Sequence, residues 1–300
     1  MSLQRLPTEH PKRTSMKPIS LLLIIIATGC IVQWTAEDWQ SYLTFVNPRM
    51  DRCAATFMIP LSNSGNLKIG TAAAFEITFE GSRHTLSLPS FMKIRFVITG
   101  KDTVKGIPCT VVDVTSEMDF ESVIVTFSGK EWVDSTGAVV KMVGTATGLY
   151  EGYEMPMNYI IERTGEEEYN GHECWIFSVI ENMEVGTNTQ EIRTIQYMEK
   201  ETYTLVRMIT DILGREVDSG YIEPLIPLKE LQWELGATEE LHTEMGDYRC
   251  QIIYLKEENE PYGTLWVSKQ VRAPLKYVIS LKEEDVELKM TIVLIEYASP

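Results

Sequence analysis

The chain has 300 residues, 44% of them hydrophobic and 23% charged, which suits one large core or two ordinary ones and neither a disordered tract nor a membrane bundle. Its net charge of −16 excludes nucleic acid as a partner, because a phosphate backbone requires a positive face. The same charge keeps an exposed domain soluble and repels an anionic lipid surface.

At the N-terminus, Arg5, Lys12, Arg13 and Lys17 precede an apolar run from Ile19 to Ile26, followed by Ala27-Thr28-Gly29-Cys30. This is the layout of a secretory signal, with a positive start, a short apolar centre and small residues before the cut. The run is too short for a hydrocarbon core of roughly 30 Å, which needs about 20 residues. The segment resembles the lipobox of prokaryotic lipoproteins. That resemblance implies removal of residues 1–29, lipid attachment at Cys30, and a cell-membrane location on the extracytoplasmic side, the membrane being met through the N-terminal lipid. An uncleaved anchor or an ordinary secretory signal is the alternative, and Met16 offers a second start. Removing the leader leaves −19, since its four basic residues outweigh Glu9.

Residues 30–66 read as a tether and linker: 36–45 could form a short helix, and Pro48, Pro60 and Ser62-Asn63-Ser64-Gly65 mark loop. A single β-domain is expected over 67–300. Its strands are short, β-branched and aromatic, at 75–79, 93–98, 110–114, 123–127, 175–179, 251–255, 276–281 and 288–295. No sustained 3.6-residue period appears, so the fold class is all-β.

Within that domain the sequence repeats. Thr99-Gly100 to Cys109 and Thr164-Gly165 to Cys174 share the pattern T-G-x5-G-x2-C, and Gly246 to Cys250 is a looser third copy. Each cysteine leads a strand, and an aromatic follows at Trp132, Tyr197 or Trp266, opening a hairpin-like unit with a basic residue: Lys141, Arg207 or Lys276. The expected units are 67–150, 151–220 and 221–300. Gly106 and Gly171 suit turns that need positive φ. The cysteine face carries Val111, Ile176 and Ile252; the other carries Val112, Val114, Phe177, Val179, Ile253 and Leu255. Strands apolar on both faces must be covered on both. The expectation is therefore a curved antiparallel sheet or half-barrel of three repeated meanders, with few helices, curled around a helix, a second layer or an apolar ligand.

Gly100, Gly106, Cys109, Trp132, Asp134, Thr136, Gly137 and Lys141, with Leu67-Lys68-Ile69-Gly70, resemble the LolA/LolB type of outer-membrane lipoprotein carrier. That likeness implies a strongly curved sheet around an apolar cavity, although this chain has fewer helical segments and a degenerate third unit.

Catalytic motifs are absent: there is no HExxH, no G-x-S-x-G and no phosphate-binding glycine loop. His172 near Cys174 reads as a turn-edge histidine, and Glu257-Glu258-Asn259-Glu260 as a solvated hairpin tip, so neither a metal nor another cofactor is expected. Cys53, Cys109, Cys174 and Cys250 could make two disulfides, but equivalent positions in successive units lie several strands apart, which favours buried thiols. The function expected is binding without catalysis: an apolar ligand or acyl chain held in the curled sheet, with Trp175, Phe177, Ile253 and Leu255 as lining residues. The alternatives are a closed sandwich in which those residues are core, an envelope protein that binds a protein partner or serves as a structural lipoprotein, and a hydrolase, which would need a convergent polar pocket.

Overall fold

The computed structural model describes residues 35–39, 68–83, 89–120, 123–185, 188–200, 205–212, 214–222, 231–271, 273–283 and 286–300. Cys30, Cys53 and most of the tether lie outside them. Residues 36–39 make one helical turn, capped reciprocally by Thr35 and Asp38, each side chain accepting from the other residue's backbone N–H.

Among the described residues, everything else regular is strand. The first ten are β1 (Ala72–Arg83), β2 (Phe91–Val104), β3 (Ile107–Asp119), β4 (Val123–Val133), β5 (Val139–Tyr150), β6 (Tyr153–Tyr169), β7 (His172–Val185), β8 (Asn188–Glu199), β9 (Leu205–Ile212) and β10 (Arg215–Asp218). Five more follow: β11 (Gln232–Thr243), β12 (Gly246–Glu257), β13 (Glu260–Val267), β14 (Lys276–Glu283) and β15 (Val286–Ala298). They form one open, curled, antiparallel sheet in the order β10 through β1, then β15 through β11. The all-β, curled fold read from the sequence is the fold observed.

The order itself requires the curl. β10 and β11 are consecutive in the chain yet occupy opposite edges. Ile222 still lies beside β9, its N–H donating to the Val206 carbonyl at 2.8 Å. From there to Leu231, at the start of β11, the chain reaches at most about 32 Å. In a flat sheet the thirteen interstrand steps from β9 to β11 would span roughly 62 Å. The two edges must therefore bend toward each other.

The register explains the sequence pattern. Gly100 and Gly165 each sit at a bulge, where β2 meets β3 and where β6 meets β7. Beside them the Thr99 and Thr164 hydroxyls donate to the carbonyls of Val111 and Ile176, at 3.4 and 3.2 Å. Lys105-Gly106 and Asn170-Gly171 have positive φ at both residues, the geometry of a two-residue hairpin turn matched to strand twist. The acidic tip also turns this way, through Glu258 and Asn259.

Covering of the cysteine face is local. Trp132 pairs with Val111 and Lys141, Tyr197 with Ile176 and Arg207, and Trp266 with Ile252 and Lys276. In each case the cation lies over the ring, at 5.8, 5.2 and 4.9 Å from the centroid. Asp102 accepts from the Trp132 indole and Glu239 from that of Trp266. A roof of aromatic and cation thus shields each apolar strand start, and this half of the problem needs no second layer. Beneath the roofs Cys109, Cys174 and Cys250 are buried and unpaired, each thiol donating to the carbonyl two residues back. Burial raises all three thiol pKa values, that of Cys250 to about 11.

Candidate functional site

The opposite face is the inner one, and it is built in two ways. Along β1, β15, β14, β13 and β12 it is packed shut by Phe75, Ile77, Leu294, Ile292, Tyr277, Ile279, Leu265, Ile253 and Leu255, all at most 2% exposed. Branched aliphatic and aromatic groups of fixed shape fill this half.

From β2 to β9 the same face is packed in part, with Ile98, Val112, Val114 and Val179 at most 2% exposed, and elsewhere lined by methionine. Ten methionines lie between residues 91 and 298, and all but Met245 point inward. Met92 faces Met118 across β2 and β3. Met142 faces Glu131 and Ile161, and Met155 and Met157 face Gly148 and Ala146. Met183 faces Met157, Met198 faces Trp175, and Met208 faces Gln196. Met290 belongs to the packed half and is 2% exposed. The other eight keep part of their surface open, with Met155 at 40%.

Tyr159 crosses the middle of this strip. Its cross-strand neighbours are Gly144 on β5 and Glu181 on β7, and Gly144 in turn faces Gly129 on β4. A β-carbon on Gly144 would fall 2.8 Å from the Tyr159 hydroxyl and 2.5 Å from the Ser128 carbonyl oxygen. The two glycines therefore leave the space in which the ring lies, stacked on Phe127 at 5.0 Å, an aromatic covering backbone that glycine exposes. Tyr159 is 7% exposed, and its hydroxyl has no hydrogen-bond partner. Glu131, also inward, keeps a partly open surface but is desolvated by the protein around it. That desolvation pushes its carboxyl up to about 7. Burial, and secondarily the charge of Glu131, raise the Tyr159 phenol. Among the described residues neither Glu131 nor Glu181 forms an ion pair or hydrogen bond.

At the end of the strip, Asp134 is 8% exposed and does two jobs. Its Oδ1 accepts from the Thr136 N–H, the Thr136 hydroxyl and the Ala138 N–H, closing the turn between β4 and β5. Its Oδ2 accepts from Arg163 Nη2 on β6 at 3.0 Å, in a pair whose side chains are 11% and 9% exposed. Arg163 in turn lies 4.2 Å from the Trp175 ring centroid, and Lys200 lies 4.6 Å from it.

All four lining residues expected from the sequence are on the inner face, but not in one place. Ile253 and Leu255 belong to the packed half. Phe177 is 5% exposed, and half-buried Trp175 has cations against its ring. β7 and β12 are ten strands apart in the sheet. Lipid attachment at Cys30 falls outside the described residues. Sequence reasoning missed the methionines and Glu131, although alternation in Met155-x-Met157-x-Tyr159 and in Val125-x-Phe127-x-Gly129-x-Glu131 signals one shared face. His172 lies at a turn edge, 3.2 Å from the Tyr221 hydroxyl. Among the described residues no three metal-ligating side chains converge, and no helix is long and apolar enough to cross a membrane. Two concavities open near hairpin ends rather than on the strip, about 390 Å³ beside Cys109 and Pro108 and about 290 Å³ beside Pro261 and Tyr262.

No protein-family model and no curated protein matches the chain. Among solved structures it is similar to a candidate lipoprotein of Parabacteroides distasonis, at 10% identity over 77% of this chain and 96% of that one, with a TM-score of 0.25. A DUF1329 family protein of Desulfovibrio piger matches at 10% identity over 82% and 92%, with a TM-score of 0.21. MucB in complex with MucA matches at 8% identity over 86% and 93%, with a TM-score of 0.17. Superposition at this level is too loose to transfer a site, so the functional reading rests on the sheet's own geometry.

Proposed function

We infer that this chain is an extracytoplasmic, lipid-anchored protein that binds rather than catalyses, taking an apolar chain of the acyl type along its methionine strip. One observation carries the reading: eight partly open methionines share the inner face of β2 to β9, beside a half of the same face that is packed shut. Methionine is unbranched and polarizable, so it adapts to guests of varied shape where leucine or isoleucine would fix one packing. Burial of about 200 Å² of guest surface contributes about 5 kcal/mol before ordering costs, in the range of micromolar binding. The anchor rests on Ala27-Thr28-Gly29-Cys30.

The test is titration with the neutral apolar fluorophore N-phenyl-1-naphthylamine. Saturable, micromolar enhancement is expected, weakened about tenfold or more in Met157→Glu, which sets a charge in the strip. No saturable signal, or equal binding by Met157→Glu and Met183→Glu, would overturn the reading.

A further inference from the structure

In the middle of the strip lies a polar place left unsatisfied among the described residues. Glu131 is a carboxyl without a partner, set on the inner face among Val112, Met142 and the next rows of the strip. The Tyr159 hydroxyl is sealed and unpartnered, and the ring that carries it reaches across Gly144 toward the strand of Glu131. Glu181, the direct cross-strand neighbour of Tyr159, is another carboxyl without a partner among the described residues, three strands from Glu131. Among the described residues the cations near this part of the face are already held, Arg163 by Asp134 and Trp175 and Lys200 by Glu166 and Trp175. A buried donor without an acceptor and a desolvated carboxylate without a counter-charge are both unfavourable, and a guest that neutralises the carboxylate would relieve the second outright.

We propose that Glu131, with Tyr159 beside it, forms the head-group subsite of the strip and selects a cationic amphiphile: an ammonium group on an apolar chain. The inference rests on the strip being a binding surface. Charge decides the occupant. An anionic head would meet a carboxylate, and a neutral one would leave it unpaired, whereas an ammonium pairs with Glu131 and lies against the faces of Phe127 and Tyr159. The chain's net charge of −16 draws the same kind of ligand toward the protein. The elevated pKa of Glu131 agrees with a carboxyl that lacks such a partner.

Decylamine, decanol and decanoate share one tail and differ in the head. Each displaces the neutral fluorophore from the full chain at pH 8, below its micelle concentration. The amine is expected to displace at least about tenfold more tightly than the alcohol, and the carboxylate more weakly than either. Glu131→Gln, which keeps the shape and removes the charge, should bring the amine-to-alcohol ratio to within about threefold, and Glu181→Gln should lower it less. Equal displacement by all three, or an undiminished ratio in Glu131→Gln, overturns the subsite while leaving the strip. Failure of all three to displace the fluorophore overturns the strip itself.

Discussion

Asp134→Ala is expected to lose about 3–5 kcal/mol of unfolding free energy, read as a fall in the urea midpoint with little change in slope. The loss has two sources. The turn at Asp134–Ala138 gives up three hydrogen bonds to one carboxylate oxygen. Arg163 then stays buried beside Trp175 with no counter-charge, and an uncompensated buried ion is more damaging than the absence of the pair. The double variant Asp134→Ala/Arg163→Met should therefore recover part of what the single variant loses. A loss under about 1 kcal/mol in Asp134→Ala would mean that water already reaches the pair.

Glu131→Gln is expected to act in the opposite direction and to depend on pH. The folded carboxyl titrates near 7 and the free one near 4.5. Between those values the folded state holds a proton that the unfolded state has released. Stability contributed by this group is thus complete below about 4.5 and is lost as pH rises to about 7. Glutamine cannot ionise, so the variant should match the native chain at pH 4 and exceed it by about 1–3 kcal/mol at pH 8. The upper figure is the full shift, and the lower one allows for water entering the curl. The direct cross-strand neighbours of Glu131 are the uncharged Val112 and Met142, and Tyr159, whose phenol feels its charge, is kept in the variant. Chemical denaturation at the two pH values decides it. An advantage that is equal at pH 4 and pH 8 would show that Glu131 is not desolvated.

What could be read from the sequence followed from local alternation. The strands led by Cys109, Cys174 and Cys250 were legible because β-branched and aromatic residues crowd behind each cysteine. Their two faces sorted correctly, with Val112, Phe177 and Ile253 opposite the cysteines. The strands that escaped notice have compositions that weaken the signal. β5 carries Gly144 and Gly148, and β6 contains Pro156 and a run of glutamates. Pro156 is tolerated because the β6–β7 ladder begins one residue later, at Met157, so no partner needs its missing N–H there.

Burial was less legible than facing. Ile253 and Phe177 occupy equivalent places in their motifs, yet one lies in a half of the sheet packed by β1 and β15, and the other beside an open strip. That difference arises from the pairing of β1 with β15, strands about 210 residues apart in the chain, which no local pattern contains. Nor was the cover over the cysteine face foreseen as a roof of Trp132, Tyr197 and Trp266. It depends on cross-strand register, and register is fixed by the bulges at Gly100 and Gly165.

The central claim, that the methionine-lined part of the inner face of β2 to β9 is a binding surface and the rest of that face is core, is tested most directly by methyl NMR of the protein labelled at its methionines and titrated with decanol. Saturable shifts are expected at Met155, Met157, Met183 and Met198, which line the open strip, with still signals from Met290 in the packed half and Met245 in the β11–β12 turn. Strip methionines that do not move, or shifts confined to Met245, would contradict it.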